Sequence, residues 1–322
     1  MDFNKLVHKD EIEIYRNVND IDIDLSDESN LDILINVIKS NRILQCLYLR
    51  SNKIDQQGAK RLSNVFKVSK TLEIIDLDDN NIGHQGAKHL ADAIAKNTTI
   101  RRLSLYRNNI GDTGARYLAN ALKSNNTLRR ITLSGNNISD EGMKHLADAL
   151  KENNTLQELD LWNNKIGDNG AKFLANALKE NNTLETIVLD NNYIGYGFVS
   201  IADSLLVNTG LRKLSLNHNE IEEEGGERVA RNLQSNHSIK SLVLGGDIID
   251  IVTRRKIRTI LDDPKRDYIV RLRNIISSKD KEIASLKESL KNSKPIDVVD
   301  LTDNSFHLNV LEWKMLVPLK AA

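Results

Sequence analysis

One frame, L-x-x-L-x-L-x-x-N-x-I, returns seven times in register and constrains this chain more than any other feature. It begins at Leu44, Leu72, Ile100, Leu128, Leu156, Leu184 and Leu211, in five steps of 28 residues and a sixth of 27. The ninth place is asparagine in every copy, from Asn52 and Asn80 through Asn108, Asn136, Asn164 and Asn192 to Asn219. Six residues later comes a glycine: Gly58, Gly86, Gly114, Gly142, Gly170 and Gly225. The 27-residue copy places Gly197 one position early, which reads as a one-residue deletion at the strand-to-helix turn and should disturb the stacking locally. A fixed period of this length means a stacked array of small units, because no single unit can bury its own apolar face.

Each unit carries two periodicities. In L-x-x-L-x-L, alternate residues point to opposite sides of a short strand, so the second and third leucines face a core. The half that follows, G-A-K-x-L-A-x-A-L, has helical spacing: Leu90, Ala93 and Ile94 share a face, as do Leu118, Ala121 and Leu122. The expected fold is therefore α/β, a horseshoe solenoid with a concave parallel sheet and outer helices. It curves because a helix is about 10 Å wide while strands pair about 4.8 Å apart. Degenerate copies flank the run. Val18-x-x-Ile21-x-Ile23 precedes it, followed by an apolar helical stretch from Leu31 to Ile38, and Ile239-x-x-Leu242-x-Leu244 follows it. Atypical end copies close an otherwise open core. The expected organisation is an N-terminal capping segment at 1–42, the solenoid at 43–250, a C-terminal helix at 251–294 and a tail segment at 295–322.

The 28-residue period, the asparagine at place nine and the G-A-K-x-L-A-x-A-L helix resemble the ribonuclease-inhibitor-like subfamily of leucine-rich repeats, over about residues 16–250. That subfamily includes the Ran GTPase-activating proteins, the tropomodulin C-terminal domain and the sensor arms of NOD-like receptors. The resemblance implies that the asparagine side chains hydrogen-bond neighbouring backbone inside a tight turn. It also implies a protein-binding scaffold with no reaction or cofactor of its own. The alternatives are a regulator of an enzyme, GTPase-activating or inhibitory, and a sensor arm. The acidic tail usual after the repeats of Ran-activating relatives is replaced here by a basic and then mixed segment.

In this architecture the residues just after the second and third leucines line the concave face. The first column reads Tyr48, Asp76, Ser104, Thr132, Asp160, Val188 and Ser215; the second reads Arg50, Asp78, Tyr106, Ser134, Trp162, Asp190 and Asn217. Tyr106 and Trp162 stand two repeats apart, roughly 10 Å at strand spacing, with the small Ser134 and Gly135 between them. They are expected to form two aromatic walls over a shallow floor, bordered by Asp76, Asp78, Asp160, Asp190 and Arg107. Exposed aromatics beside charge are typical interface anchors. The competing reading is that the two rings only cover the sheet.

Forty-five basic residues balance 45 acidic ones, so no global field favours nucleic acid or a membrane. The balance is local, with 10 acidic and 3 basic residues in 1–32 and 13 basic and 6 acidic in 254–294. A single cysteine, Cys46, excludes an intramolecular disulfide and points to a reducing compartment, cytoplasmic or nuclear. No apolar run reaches membrane-spanning length and the first residues are too charged for a secretory signal. Gly83–Lys88, G-H-Q-G-A-K, lacks the full phosphate-loop pattern and recurs as part of the repeat. The seven histidines show no metal-ligand spacing. No catalytic residue or metal ligand is expected.

Beyond the repeats, Ile269, Leu272, Ile276, Ile283, Leu286 and Leu290 follow heptad spacing, with Lys279 in the empty seam position. The expectation is a coiled coil that pairs two copies of the chain; the alternative is an amphipathic helix folded back on the solenoid. The segment Pro295–Asp303 resembles a SUMO-interacting motif through Ile296, Val298, Val299 and Leu301 with flanking aspartates, a pattern suited to strand addition. Its alternative is a strap on the chain's own cap. The stretch from Phe306 to Leu319 is apolar enough to dock.

Overall fold

Three alternating residues per repeat are enough for a strand when the next repeat pairs with them. The computed structural model describes residues 20–22, 28–245, 249–264, 278–279 and 281–288. It contains nine parallel strands in a single sheet, in sequence order. They are β1 (Asp20–Asp22), β2 (Cys46–Tyr48), β3 (Ile74–Asp76), β4 (Arg102–Ser104), β5 (Arg130–Thr132), β6 (Glu158–Asp160), β7 (Thr186–Val188), β8 (Lys213–Ser215) and β9 (Ser241–Val243). The register is the one the frame demands: Leu47 pairs with Ile75, Ile75 with Leu103, Leu103 with Ile131 and Ile131 with Leu159. Pairing runs on past each strand, as where Leu77 N–H donates to Ser104 O at 3.0 Å and Asp79 N–H to Tyr106 O at 2.8 Å.

A helix follows each strand. They are α1 (Glu28–Ser40), α2 (Gln56–Phe66), α3 (Gly83–Ile94), α4 (Gly111–Ser124), α5 (Asp140–Glu152), α6 (Asp168–Glu180), α7 (Phe198–Ser204), α8 (Glu223–Asn232) and α9 (Ile251–Leu261). All three leucine places of each full frame are buried, and so are the helical alanines and leucines facing them; together they form one continuous core. The glycine at the start of each helix is there for closeness. A Cβ on Gly86 would lie 2.6 Å from Ile82 Cγ2 and 3.1 Å from Ala59 Cβ.

Polar groups buried by this stacking are satisfied by two asparagine ladders. The first is the one expected at place nine. Asn136 Oδ1 accepts from Asn108 N–H at 2.9 Å and Ile110 N–H at 3.3 Å, while its Nδ2 donates to Leu105 O at 2.7 Å and Ser134 O at 3.0 Å. The second was not anticipated. It lies at the C-terminal ends of the helices, three residues before each frame, at Asn41, Asn97, Asn125, Asn153, Asn181, Asn208 and Asn236. Asn125 Nδ2 donates to Ile94 O at 2.7 Å, and its Oδ1 accepts from Leu128 N–H at 2.7 Å. Ser69 stands in that place once, its Oγ accepting from Leu72 N–H at 3.2 Å.

The 27-residue copy disturbs the stack as its spacing predicts. Helix α7 is 7 residues long where α6 is 13. The shortened turn presses Gly197 onto the preceding repeat, where a Cβ would lie 2.6 Å from Asp168 Cα. Gly197 N–H donates to Asp168 Oδ1 at 2.7 Å. Phe198, fully buried, fills the volume left over.

The chain divides into two units, Met1–Val270 and Arg271–Ala322. Helix α9 falls within the first. It packs Thr253 and Ile257 inward, and Thr253 Oγ1 donates to Glu223 Oε1 at 2.6 Å. In the second unit residues 281–288 are helical, with Ile283 and Leu286 exposed. The other apolar seam positions, the SUMO-like residues Ile296, Val298, Val299 and Leu301, and the stretch from Phe306 lie outside the described residues.

Replacing Asn136 with alanine strands the Asn108 amide and the Leu105 carbonyl in the interior. It should lower stability in urea unfolding by about 2–4 kcal/mol. A loss below about 0.5 kcal/mol would contradict the ladder's role.

Candidate protein interface

The turn after each strand sets what the concave face presents. The place after the second outward column is left-handed in seven successive repeats: Ser51, Asp79, Arg107, Gly135, Asn163, Asn191 and His218 have φ between 50° and 65°. Non-glycine residues resist this conformation, and here the asparagine ladder beneath holds them in it. Gly135 also leaves room for its neighbours' side chains. Its Cβ would meet Arg107 Cγ at 2.9 Å and Tyr106 Cε2 at 3.1 Å.

That gap is where the aromatic rings go. Tyr106 and Trp162 are brought together, but not as two walls with an open floor. Their ring centroids are 5.8 Å apart with planes tilted by 36°. The backbones stand two strands apart, and Ser134 and Gly135 are too small to hold the rings upright, so the rings lean over them into contact. Arg107 completes the stack, its guanidinium carbon 4.9 Å from the Tyr106 centroid. The result is one aromatic ridge with a cation at one end. Trp162 keeps 36% of its surface exposed, and its position on the strand face excludes a place in the core.

The expected acidic border is only partly a border. Asp78 Oδ1 accepts from Ser104 Oγ at 2.6 Å and from Tyr106 N–H at 2.8 Å. Asp160 Oδ1 accepts from Ser134 Oγ at 2.6 Å and from Trp162 N–H at 3.0 Å. Asp190 Oδ1 accepts from Ser215 Oγ at 2.8 Å and from Asn217 N–H at 2.9 Å. These aspartates tie adjacent repeats together and fix the backbone that carries both rings. Ser134 is 2% and Asp190 8% exposed, so neither offers a contact surface; they position residues that do. Asp76 Oδ1 accepts from Asp78 N–H at 2.9 Å and stays half-buried beside Tyr48 in a neighbouring groove. Asp79, not singled out from the sequence, is the carboxylate that meets Arg50, at 2.7 Å, with Arg107 at 3.9 Å.

Burial pushes the Asp78 carboxyl above its ordinary value. The hydrogen bonds from Ser104 and Tyr106 oppose this, the Asp76 charge adds to it, and Arg50 offsets part of it. The hydrogen bond and charge of Asp79 hold the Arg50 guanidinium above its usual value.

A third outward column was missed. It precedes the second leucine and reads Cys46, Ile74, Arg102, Arg130, Glu158, Thr186 and Lys213, all in register. Period-two alternation already implies it, since residues on either side of one inward leucine point the same way. Among the described residues no group of three or more His, Cys, Asp or Glu could hold a metal ion, and no helix is long and apolar enough to cross a membrane.

Because the folded state holds the Asp78 proton more tightly than the unfolded chain, this group favours folding at low pH. That contribution is lost as pH rises through its raised pKa. Asp78→Asn keeps the acceptor without the charge. It should raise Tm at pH 7, with the gain over the parent closing as pH falls below about 4. Asp78→Ala, which strands the Tyr106 amide, should cost about 1–3 kcal/mol. A lower Tm for Asp78→Asn at pH 7 would contradict the assignment.

The family models that match the chain are models of leucine-rich repeats. The family model for the TMOD/LMOD leucine-rich domain matches residues 78–166, and the leucine-rich-repeat model matches 40–63 and 207–230. No curated protein matches the chain significantly. Among solved structures it is similar to one titled Leiomodin-1 Actin-Binding Site 2, with 20% identity and a TM-score of 0.41, over 53% of this chain and 95% of that one. It is similar also to a Caenorhabditis elegans tropomodulin C-terminal domain, with 16% identity and a TM-score of 0.44, over 50% of this chain and 98% of that one. Seven frames in register, nine parallel strands in sequence order and the matched repeat models identify the chain as a leucine-rich-repeat protein of the ribonuclease-inhibitor-like type.

Proposed function

We propose that the concave face binds a protein partner, with the Tyr106–Trp162 ridge as its anchor and no reaction of its own. The observation that carries this is the ridge itself. Two aromatic rings are stacked on the outer side of the sheet, with Arg107 against one end and Trp162 substantially exposed. Aromatic and arginine side chains dominate binding energy at protein interfaces because they bury large areas at low entropic cost. Here that cost is already reduced. The rings rest on each other, and hydrogen bonds donated by their own backbone N–H groups to Asp78 and Asp160 hold the backbone beneath them, which is preorganisation for binding. The three outward columns give the partner a ruled surface repeating at strand spacing, suited to an elongated contact. The single cysteine fits a reducing compartment, cytoplasmic or nuclear.

The test is affinity capture with the full chain, followed by titration of whatever is retained, with purified actin included among the probes. Trp162→Ala and Tyr106→Ala should each weaken binding by about 2 kcal/mol, roughly 30-fold, while leaving the melting curve nearly unchanged. Lower thermal stability with intact binding would make the ridge a sheet cover and sink the proposal.

A further inference from the structure

Strands β4 and β5 each open on an arginine preceded by another, Arg101–Arg102 and Arg129–Arg130. The backbones are adjacent: Arg102 and Arg130 are Cα partners, and Arg129 N–H donates to Arg101 O at 2.8 Å. All four side chains are exposed. Arg101 reaches Glu73 at 3.5 Å and Arg130 reaches Glu158 at 3.0 Å. Arg102 and Arg129 have no acidic partner among the described residues. Like charges directly opposite across a parallel pair oppose the pairing, and nothing in the core needs these side chains. Arg102 and Arg129 are charge that the fold carries without using.

Arg102 lies at the other end of β4 from Tyr106, whose ring meets Trp162 of the β6 repeat. Arg102 and Tyr106 are four residues apart, about 13 Å in extended chain. The floor between them is small, Ser104 and then Thr132. A groove of about 220 Å³ opens at the arginine side against Tyr48 and Ile74, with Asp76 also lining it. The width between the two rows matches the roughly 10–12 Å diameter of an α-helix. The spacing along the groove matches too. Acids at i and i+3 or i+4 of a helix are about 4.5–6 Å apart along its axis, close to the roughly 4.8 Å between strands.

We propose that the partner element is an acidic amphipathic helix lying across β4 and β5. Its carboxylates meet Arg102 and Arg130 and its apolar flank meets Tyr106 and Trp162. This rests on the reading of the concave face as a protein interface, and it names the chemistry of what binds there. The guanidinium fork pairs with a carboxylate or a phosphate equally well. The helix is favoured over a nucleic acid because the basic strip is two strands wide. The next repeats place Asp76 and Asp79 on one side and Glu158 and Asp160 on the other, where an extended polyphosphate would be repelled.

The test uses the full chain and three labelled probes. One is a helical peptide with Glu at i, i+4 along one flank and Leu along the other. The second is its Lys counterpart, and the third is a single-stranded oligouridylate. The acidic helix should bind, weaken with added salt, and lose roughly tenfold in affinity to the double variant Arg102→Gln/Arg130→Gln. Trp162→Ala should weaken it as well. Both arginines are exposed, so the variant should keep its circular dichroism and Tm. Arg102→Gln alone, which leaves the Arg130–Glu158 pair intact, gives the same direction should the double variant fold poorly. Equal binding of the acidic and Lys helices, or no loss in either variant, overturns the proposal. Oligouridylate binding more tightly than the acidic helix, with loss in Arg102→Gln, also overturns it and assigns the strip to nucleic acid. If the acidic helix fails while Trp162→Ala still abolishes capture of a partner, this inference falls and the protein-binding reading stands.

Discussion

Everything in this molecule depends on a buried amide side chain that bridges one repeat to the next. A three-residue strand cannot hold a turn by itself, and the turn after it is left-handed at residues that resist that conformation. Asn80 shows how the problem is solved. Its Oδ1 takes Asn52 N–H and Ile54 N–H from the preceding repeat, while its Nδ2 gives to Leu49 O, Leu77 O and Asp78 O. One side chain closes its own turn and satisfies its neighbour's. An apolar residue there would leave several backbone groups buried without partners. The asparagine is thus a condition for stacking, and stacking is a condition for the core.

The concave face inherits its rigidity from this arrangement. Positions above the ladder are fixed in direction, so chemistry can be placed on them column by column. Small residues at Ser134 and Gly135 let two distant rings meet, and aspartates that would otherwise be free charges are drawn into bonding Ser104, Ser134 and Ser215. A surface built this way varies by single side chains without disturbing the scaffold. That accounts for a repeat this regular carrying a face this irregular.

Register, strand order and helix positions follow from spacing, since a 28-residue period that keeps Leu47, Ile75 and Leu103 inward allows one stacking, while the bonding of the first ladder is what the family resemblance implied. The disturbance at Gly197 is equally visible as a missing residue. The fate of side chains above the sheet is less legible. Column positions placed Tyr106 and Trp162 correctly, yet backbone spacing implied rings about 10 Å apart. What brings them to 5.8 Å is the lean permitted by two small neighbours, a property of side-chain torsions. The aspartates looked like a charged rim because a sequence does not reveal which carboxylate finds a serine one repeat away. The second ladder was legible in principle, since Asn125, Asn153 and Asn181 recur at the same period, but the stronger leucine signal three residues later masked it.

The most direct measurement is hydrogen–deuterium exchange at the turn amides bonded to asparagine side chains, chiefly Asn108, Ile138, Leu128 and Leu156. These amides lie outside the strands and helices, where exchange is ordinarily fast. If the ladders hold the solenoid together, they exchange as slowly as the neighbouring strand amides of Leu103 and Ile131, through global unfolding. Exchange within about tenfold of unstructured rates at these positions, with the strands still protected, would contradict the account.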